Sequence, residues 1–248
     1  AGSIILPRGR RVSPRDAGIL AAAGQERVAV YRRPVVGIIS TGNELVPPGE
    51  TPGPGQVRDA NGPMCATFAE ELGCLPRFYG IIRDDREALG SAFETAAGEC
   101  DAILLSGGSS KDVRDLAASV IGEQGEVLVH GIGIAPGKPT IVGTLRGRPV
   151  IGLPGHPASA FVILHTLGGP LLSAMSGQPL CERRIPAILA ENIPSQKGRA
   201  EFVRVRVAKG RAFPCFGKSG LLNTFAGSDG MVMVPAEREG LEAGETIE

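Results

Sequence analysis

The sequence predicts an α/β protein in which helices cover both faces of a mainly parallel sheet, giving three layers, followed by a small all-β domain. Between residues 34 and 178, apolar strand-like runs alternate with helix-like segments, as in parallel sheets with helices on both faces. From residue 179 onward, only short β-like runs remain. We therefore expect residues 1–33 to be a partial N-terminal linker domain, residues 34–178 an α/β domain and residues 179–248 a C-terminal β domain.

Composition narrows the class of protein. A chain of 248 residues that is 42% hydrophobic can bury a core, and its 26 basic residues balance 26 acidic ones. We therefore expect no nucleic acid and no acidic membrane surface as a partner. We also expect no secretory signal and no apolar run long enough to span a bilayer.

The five cysteines form no C-x-x-C pair, which predicts reduced thiols in a cytoplasmic protein.

The N-terminal segment is too short to bury a core of its own. Short strands are expected at residues 3–6 and 28–31, with a helix at residues 14–23 between them. Ser13 is a suitable N-cap for this helix, Pro14 suits its first position, and Gly24 suits its end.

The α/β region divides into strands and helices by its apolar runs. Strands are predicted at residues 35–40, 78–82, 102–105, 127–132, 140–145 and 149–153, and helices at 62–72, 84–97, 116–121 and 157–175. Asp84 and Glu87 have the spacing of a capping box. The last helix is expected to break near residues 168–170, which read Gly-Gly-Pro.

The C-terminal region predicts strands at residues 185–189, 202–207, 212–216 and 231–234. Arg204 and Arg206 alternate with valines, which is typical of a half-exposed strand whose basic side chains face water.

Polar turns follow four of the predicted parallel strands. The turn at residues 106–110 reads Ser-Gly-Gly-Ser-Ser and joins a strand to a helix, an arrangement that binds anions. Residues 40–44, 83–85 and 153–157 also follow strands, and Lys138 lies between two prolines. Because ligands of open parallel sheets bind beyond the carboxyl ends of the strands, we expect these turns to share one phosphate-binding site.

Carboxylates in the same turns suggest a divalent cation. Glu44, Asp84 and Asp115 would repel phosphate unless a cation such as Mg²⁺ lay between them. Simpler interpretations remain open: Asp84 and Asp115 could cap helices, Glu44 could be a solvated loop residue, and Asp59 and Asn61 could form a turn.

Six motifs in order carry a family resemblance: Ser-Thr-Gly-Asn-Glu-Leu at 40–45, Gly-Gln-Val-Arg-Asp-Ala-Asn at 55–61, Gly-Ile-Ile-Arg-Asp-Asp at 80–85, Ser-Gly-Gly at 106–108, Pro-Gly-Lys-Pro at 136–139 and Leu-Pro-Gly-His-Pro at 153–157. Together they resemble the molybdopterin molybdenumtransferase family, called MoeA in bacteria, which includes the gephyrin E domain. The resemblance implies a MogA-like molybdopterin-binding fold for the α/β domain.

The resemblance also implies an activity. The family inserts molybdate into adenylylated molybdopterin and releases AMP, with Mg²⁺ assisting. Glu44, Asp84 and Asp115 match its catalytic and metal-binding carboxylates. The residues expected to contact the cofactor are Ser40, Thr41, Gly42, Asp59, Asn61, Ser106, Gly107, Gly108, Ser109, Ser110, Lys138, Pro154, Gly155 and Pro157. A homodimer is expected, and other molybdenum cofactor biosynthesis proteins are expected as partners.

The sequence departs from the family pattern at several points. Full members carry a further N-terminal domain within the segment that residues 1–33 represent, and we expect this domain to be absent. Ser109 replaces a common valine, Asp112 a glycine and His156 an asparagine. The pair at residues 114–115, Arg-Asp, also resembles the molybdopterin adenylyltransferases called MogA. Adenylyl transfer, or molybdopterin binding without turnover, are therefore the alternatives.

Overall fold

The N-terminal segment contains one helix and no strand among its described residues. A computed structural model describes residues 4–107, 111–178, 184–217, 225 and 227–248. Helix α1 (Pro14–Ala22) begins at the predicted N-cap, where Ser13 and Asp16 form a reciprocal capping box. Hydrogen bonds from Ser13 lower the pKa of Asp16 to about 2. Residues 4–6 and 28–31 are not strands, because the sheets offer them no partner.

The α/β region is built on a six-stranded sheet. Its strands and the short strands between them are β1 (Val35–Thr41), β2 (Leu45–Val46), β3 (Val57–Arg58), β4 (Leu75–Ile82), β5 (Ala102–Gly107), β6 (Gly125–His130), β7 (Ile134–Ala135), β8 (Ile141–Leu145) and β9 (Arg148–Leu153). The order is β4-β1-β5-β9-β8-β6. The first four strands are parallel, and β8 runs antiparallel to both its neighbours.

Helices cover both faces of this sheet: α2 (Asn61–Glu71), α3 (Arg86–Glu99), α4 (Lys111–Gln124), α5 (Pro157–Ile163) and α6 (Gly169–Ser176). On one face, Phe68 of α2 and Leu172 of α6 pack with Ile38 of β1. On the other, Phe93 of α3 and Ile121 of α4 pack with Ile39, the next residue of β1. Successive residues of a strand face opposite sides of a sheet, so β1 is buried on both. The predicted three-layer α/β fold is confirmed.

The long apolar helix differs from its prediction. A π-helical segment, Leu164–Gly168, joins α5 to α6 without a break, and Pro170, which has no backbone N–H, lies at the start of α6. Residues 157–176 are also long and apolar enough to span a membrane by length and composition, contrary to expectation. Ile163, Leu164 and Leu172 are fully buried in the core cluster that includes β1 and β5, as in a core helix.

The start of α3 corrects a second prediction. Its N-cap is Asp85, whose side chain accepts a hydrogen bond from the backbone N–H of Ala88 at 2.9 Å. The predicted capping box from Asp84 to Glu87 is therefore wrong by one residue. The shift leaves the Asp84 carboxylate available for the strand-end loops.

The C-terminal region is a small β structure, as predicted. Its strands are β10 (Ala187–Leu189), β11 (Ile193–Pro194), β12 (Ala200–Ala208), β13 (Arg211–Pro214), β14 (Gly230–Val234), β15 (Gly240–Leu241) and β16 (Thr246–Ile247). One sheet has the order β14-β12-β13-β10-β16, and β7 of the α/β region pairs with β12. This pairing joins the two regions through backbone hydrogen bonds.

Acid should weaken the C-terminal region through Glu245. Its carboxylate forms a two-pronged ion pair with Arg238 at 2.7 and 2.8 Å, and this pair, with the backbone N–H of Glu242, lowers the pKa of Glu245 to about 2. A depressed carboxyl pKa stabilises the fold above the unfolded value, near 4.3, and the stabilisation disappears as pH falls through the folded value. At pH 6 we expect the wild-type protein to unfold at a higher urea concentration than the Glu245→Gln variant. Near pH 2 we expect this difference in urea midpoint to vanish.

The control for this experiment is Glu239→Gln. The Glu239 side chain is 76% exposed in its pair with Lys197, so its loss should change the midpoint little at either pH. A wild-type advantage over Glu245→Gln that persists undiminished at pH 2 would contradict the assignment.

Candidate functional site

The predicted turns meet at one edge of the sheet. In the β1–β5 ladder, Ser40 pairs with Ser106 and Thr41 with Gly107, and Ser106 pairs in turn with Leu153 of β9. Neighbouring strands lie about 4.8 Å apart, so the carboxyl ends of β1, β5 and β9 form one continuous edge. This is where ligands of parallel sheets bind.

Asp84 shapes the loop that follows β1. One carboxylate oxygen accepts a hydrogen bond from the Thr41 hydroxyl at 2.8 Å, and the other accepts one from the backbone N–H of Asn43 at 3.1 Å. The Glu44 carboxylate folds over Gly42, where a Cβ atom would lie 2.9 Å from Oε2. Glu44 and Asp84 therefore flank the same turn.

Asp59 is a buried carboxylate beneath this loop. It accepts hydrogen bonds from the Ser40 hydroxyl at 2.6 Å and from the backbone N–H groups of Asn61 and Gly62 at 3.1 and 3.0 Å. It thus caps the first turn of α2. The hydroxyls of Ser40 and Thr41 both donate to carboxylates of the protein, contrary to the expectation that they face phosphate oxygens.

The turn after β9 is tied to the same helix. The Asn61 side-chain amide donates to the carbonyl of Gly155 at 2.9 Å. Its Oδ1 is buried and has no hydrogen-bond partner within the described residues. Pro154 is buried and Pro157 is half-buried at the start of α5, whereas His156 is exposed and makes no side-chain cap.

Lys138 reaches this edge through β8. Because Ile141 pairs with Gly152, the antiparallel strand β8 begins where β9 ends. Lys138 precedes it by three residues and is exposed. The structure therefore brings this lysine to the edge that the sequence predicted for it.

Asp115 does not join the other two carboxylates. It lies on α4 with its Oδ1 4.0 Å from Nε2 of His130, at the end of β6. In the sheet order β6 is four strands from β1, roughly 19 Å at about 4.8 Å per strand. The described residues contain no cluster of three His, Cys, Asp or Glu side chains able to hold a metal ion. The predicted metal triad of Glu44, Asp84 and Asp115 is therefore not assembled.

Gly107 permits the close approach of two strand ends. Its φ is +146°, and a Cβ atom there would lie 1.9 Å from the carbonyl oxygen of Thr41. Only glycine fits this position. The next residues of the predicted anion turn, Gly108, Ser109 and Ser110, lie outside the described residues.

A cavity of about 630 Å³ opens beside the edge strand β4. It is lined by Gly42 and Asn43 of the β1 loop, by Asp59, and by apolar side chains that include Phe78. The sequence predicted a pocket over residues 40–44, Asp84, residues 106–110 and residues 154–157, and of these Gly42 and Asn43 line this cavity. Ser106 and Pro154 do not line it.

Arg204 is a candidate anion-binding residue that the sequence pattern did not reveal. It was expected to face water, yet its side chain is buried and Nη1 has no hydrogen-bond partner in the described part of the chain. Burial lowers the pKa of this guanidinium. It lies over the ring of Phe225, at 5.0 Å, and that ring contacts Phe161 of α5. Buried charges in proteins are usually paired, so this guanidinium is a candidate site for an oxyanion.

Comparison with known proteins identifies the family. Residues 37–174 match the family described as "Probable molybdopterin binding domain", and residues 186–248 match the one described as "MoeA C-terminal region (domain IV)". The second match, directly after the first, decides between related families. The chain belongs to the MoeA family. This confirms the resemblance drawn from the six sequence motifs.

Relatives show how much of a MoeA protein is present. A molybdopterin molybdenumtransferase from Haemophilus influenzae is 31% identical over 258 residues, covering 99% of this chain and 63% of the relative. A crystal structure of a MoeA protein from Pyrococcus horikoshii is 40% identical with a TM-score of 0.89, covering 98% of this chain and 60% of that one. A molybdenum cofactor biosynthesis protein from Pyrococcus furiosus is 30% identical with a TM-score of 0.76, covering 99% and 77%. The chain spans 59–63% of the length of three curated relatives, from Methanocaldococcus jannaschii, Haemophilus influenzae and Bacillus subtilis.

We expect any side chain larger than that of Gly62 to destabilise the base of this MoeA site. A Cβ atom there would lie 2.5 Å from Oδ2 of Asp59 and 2.9 Å from Cε2 of Phe78. We expect Gly62→Ala to lower the free energy of unfolding by about 1–3 kcal/mol, the cost of overpacking, as measured by urea denaturation.

The matched control is Gly98→Ala on α3, where a Cβ atom meets nothing within 4 Å. That substitution should stabilise the protein by about 0.4–1 kcal/mol, because alanine restricts the unfolded chain. Equal stability of the two variants would show that Gly62 is not constrained by Asp59 and Phe78.

Proposed function

We propose that the protein acts in molybdenum cofactor biosynthesis and inserts molybdate into adenylylated molybdopterin with release of AMP. The observation that carries this proposal is the pairing of Glu44 and Asp84 around one turn at the carboxyl end of β1, in a chain of the MoeA family. A carboxylate pair beside a glycine-lined strand edge suits a pyrophosphate that is bound together with a cation.

The donor set of this pair fits Mg²⁺. The two Asp84 oxygens accept hydrogen bonds from Thr41 and Asn43, and a carboxylate has further lone pairs to offer. Mg²⁺ is usually held by one or two carboxylates together with substrate phosphates, so Glu44 and Asp84 would hold it here. When bound, the ion would neutralise charge on the pyrophosphate.

Three further residues are proposed to position the anionic groups. The glycine at 107 lets the backbone approach a phosphate closely. Lys138 supplies an exposed cation at the same edge, and Arg204 supplies a buried one beside α5. Because cations at fixed positions need no reorganisation during reaction, they stabilise developing negative charge on the departing AMP.

The C-terminal region favours this reaction over the alternative of adenylyl transfer. Residues 186–248 match a MoeA region, and they contribute Arg204 to the surroundings of α5. Molybdopterin binding without turnover is the remaining alternative. It predicts binding of adenylylated molybdopterin with no release of AMP.

Removal of the Glu44 charge should slow turnover strongly. With adenylylated molybdopterin, molybdate and Mg²⁺, we expect Glu44→Gln to release AMP about a hundredfold more slowly than wild type, the usual cost of losing one electrostatic contact to the reacting groups. The control is Glu50→Gln, an exposed loop carboxylate, which should leave the rate unchanged. Normal AMP release by Glu44→Gln, measured by chromatography, would contradict the proposed role.

We further propose a cytoplasmic homodimer that receives its substrate from an adenylylating enzyme of the same biosynthesis. The described cysteines, Cys65, Cys74, Cys100 and Cys215, are free thiols, which suits a reducing compartment. The homodimer is proposed because the family resemblance implies one. Light scattering should give twice the chain mass of 25.6 kDa. A mass of 25.6 kDa at micromolar concentration would contradict the dimer.

A further inference from the structure

We propose that Cys215 is a modification site, where a hydroperoxide oxidises the thiol to a sulfenic acid and the buried guanidinium of Arg204 then holds the new oxygen. The consequence for turnover rests on the proposed function, in which Arg204 is one of the cations that hold anionic groups of the substrate. A guanidinium occupied by an oxyanion of the protein itself could not hold such a group. Oxidation of this thiol would therefore stop the reaction, and reduction would restore it.

Exposure distinguishes Cys215 from the other described cysteines. Cys65 and Cys74 are fully buried and Cys100 is 2% exposed, whereas Cys215 is partly exposed. Burial raises the pKa of each of the three buried thiols, and such structural cysteines are inert. Reactive cysteines are partly exposed and have positive charge nearby. Among the described thiols, Cys215 is therefore the one that a peroxide in solution can reach.

Strand pairing places Cys215 beside Arg204. In the antiparallel ladder of β12 and β13, Val205 pairs with Pro214. The backbone N–H of Cys215 extends this ladder by donating to the carbonyl of Arg204 at 2.8 Å. Residues directly opposite each other on antiparallel strands project from the same face, with Cβ atoms about 4.5–5.5 Å apart. The thiol and the guanidinium are therefore neighbours on one face of the sheet.

Arg204 lacks an anionic partner among the described residues. It is 8% exposed, and its Nη1 has no hydrogen-bond partner within this part of the chain. Its guanidinium lies over the ring of Phe225, 5.0 Å from the ring centre. Burial lowers the pKa of this guanidinium, and the charge of Cys215 raises it. Since buried charges are normally paired, an ionised oxygen on the Cys215 sulfur would supply the partner that the guanidinium lacks.

The Cys215 thiol is held weakly in its reduced form. Its Sγ lies 3.8 Å from the carbonyl oxygen of Phe213 and 4.0 Å from that of Gly227. A thiol is a weak hydrogen-bond donor, so little is lost when the sulfur is oxidised. The contact with Gly227 is exposed to solvent, so a small peroxide can approach the sulfur there.

The oxidation needs hydrogen peroxide, and its reversal needs a small thiol. The Cys215 thiolate attacks one peroxide oxygen, so that the S–O bond forms as the O–O bond breaks. The departing hydroxide takes up the proton that the thiol released and becomes water. The sulfur is thereby oxidised and the peroxide reduced. When the sulfenic acid gives its proton to water, the Arg204 guanidinium stabilises the resulting oxyanion by a charge-assisted hydrogen bond.

Two thiol molecules reverse the modification. The first attacks the sulfenic sulfur, which releases water and leaves a mixed disulfide on Cys215. The second attacks this disulfide, returns Cys215 to the thiol and leaves as the oxidised small-molecule disulfide. The cycle is therefore closed by reagents that belong to a reducing compartment.

The first test labels the sulfenic acid directly. The full chain is treated with hydrogen peroxide and then with dimedone, which reacts with sulfenic acids, and labelled peptides are identified by mass spectrometry. We expect Cys215 to be labelled, and Arg204→Gln to lower its labelling rate about tenfold, the effect of losing one hydrogen bond to a charged group. Arg204→Lys keeps the charge and should label faster than Arg204→Gln. The matched control is Arg206→Gln, an exposed arginine of the same strand, which should label as wild type does.

A second measurement needs no substitution at Arg204. Peroxide-treated wild type should unfold at a higher urea concentration than reduced wild type, because the buried guanidinium has gained a partner. Cys215→Ser keeps a hydrogen-bond donor but cannot form a sulfenic acid, so peroxide should leave its urea midpoint unchanged. A midpoint of wild type that does not rise on oxidation of Cys215 would contradict the pairing with Arg204.

Turnover tests the regulatory consequence. We expect peroxide to stop AMP release from adenylylated molybdopterin by wild type and dithiothreitol to restore it. Cys215→Ser should release AMP at the wild-type rate with or without peroxide. Cys181 lies outside the described residues, and Cys181→Ser should remain sensitive to peroxide.

Three results would overturn the proposal: absence of label on Cys215, labelling of Cys215 that Arg204→Gln does not slow, or AMP release by Cys215→Ser that peroxide still stops. Failure of the proposed function is different. In that case the untreated protein releases no AMP, and the labelling and urea measurements still decide whether Cys215 is oxidised and paired with Arg204.

Discussion

The buried carboxylate of Asp59 holds the site together. It receives hydrogen bonds from the end of β1, through Ser40, and from the first turn of α2, through Asn61 and Gly62. An ionised group without partners would be costly to bury, and three donors compensate that cost here. Since Asn61 also donates to Gly155 after β9, one local network fixes the positions of three segments that are distant in sequence.

Asp84 fixes the loop that follows β1 by the same kind of hydrogen bonding. Its two oxygens bind the hydroxyl of Thr41 and the backbone of Asn43. Both strand-end hydroxyls therefore serve the protein's own carboxylates. On the proposed function, an anionic substrate would then be held by backbone N–H groups, by a cation between Glu44 and Asp84, and by basic side chains such as Lys138. Such a division would let an edge rich in carboxylates receive phosphate.

The sequence specified most of the α/β fold because its signals were local. The apolar runs of β1 and β5 can be recognised without tertiary information, and so can the apolar residues Met64, Phe68 and Leu72, which recur every four residues along the α2 segment. The sequence-based predictions failed where burial, strand formation or helix capping depends on residues that are distant in sequence. Arg204 alternates with valines as an exposed residue would, yet it is buried and lies over the ring of Phe225. Residues 28–31 have strand composition but no strand beside them. Asp84 and Asp85 are equally good caps in sequence, and the loop after β1 occupies the first of them.

The same distinction between local signals and distant partners applies to the site residues. Strand-end turns could be placed on one edge from topology alone, because parallel strands end together. The distances between these turns along the edge could not be predicted, because they depend on the order of strands in the sheet. Asp115 follows β5, a neighbour of β1, but α4 carries it toward His130 on β6. The cavity lies beside a register shift between β1 and β4, which leaves no mark in composition. The turn at residues 40–44 is thus the element shared by both halves of the site, with carboxylates on one side and an apolar cavity on the other.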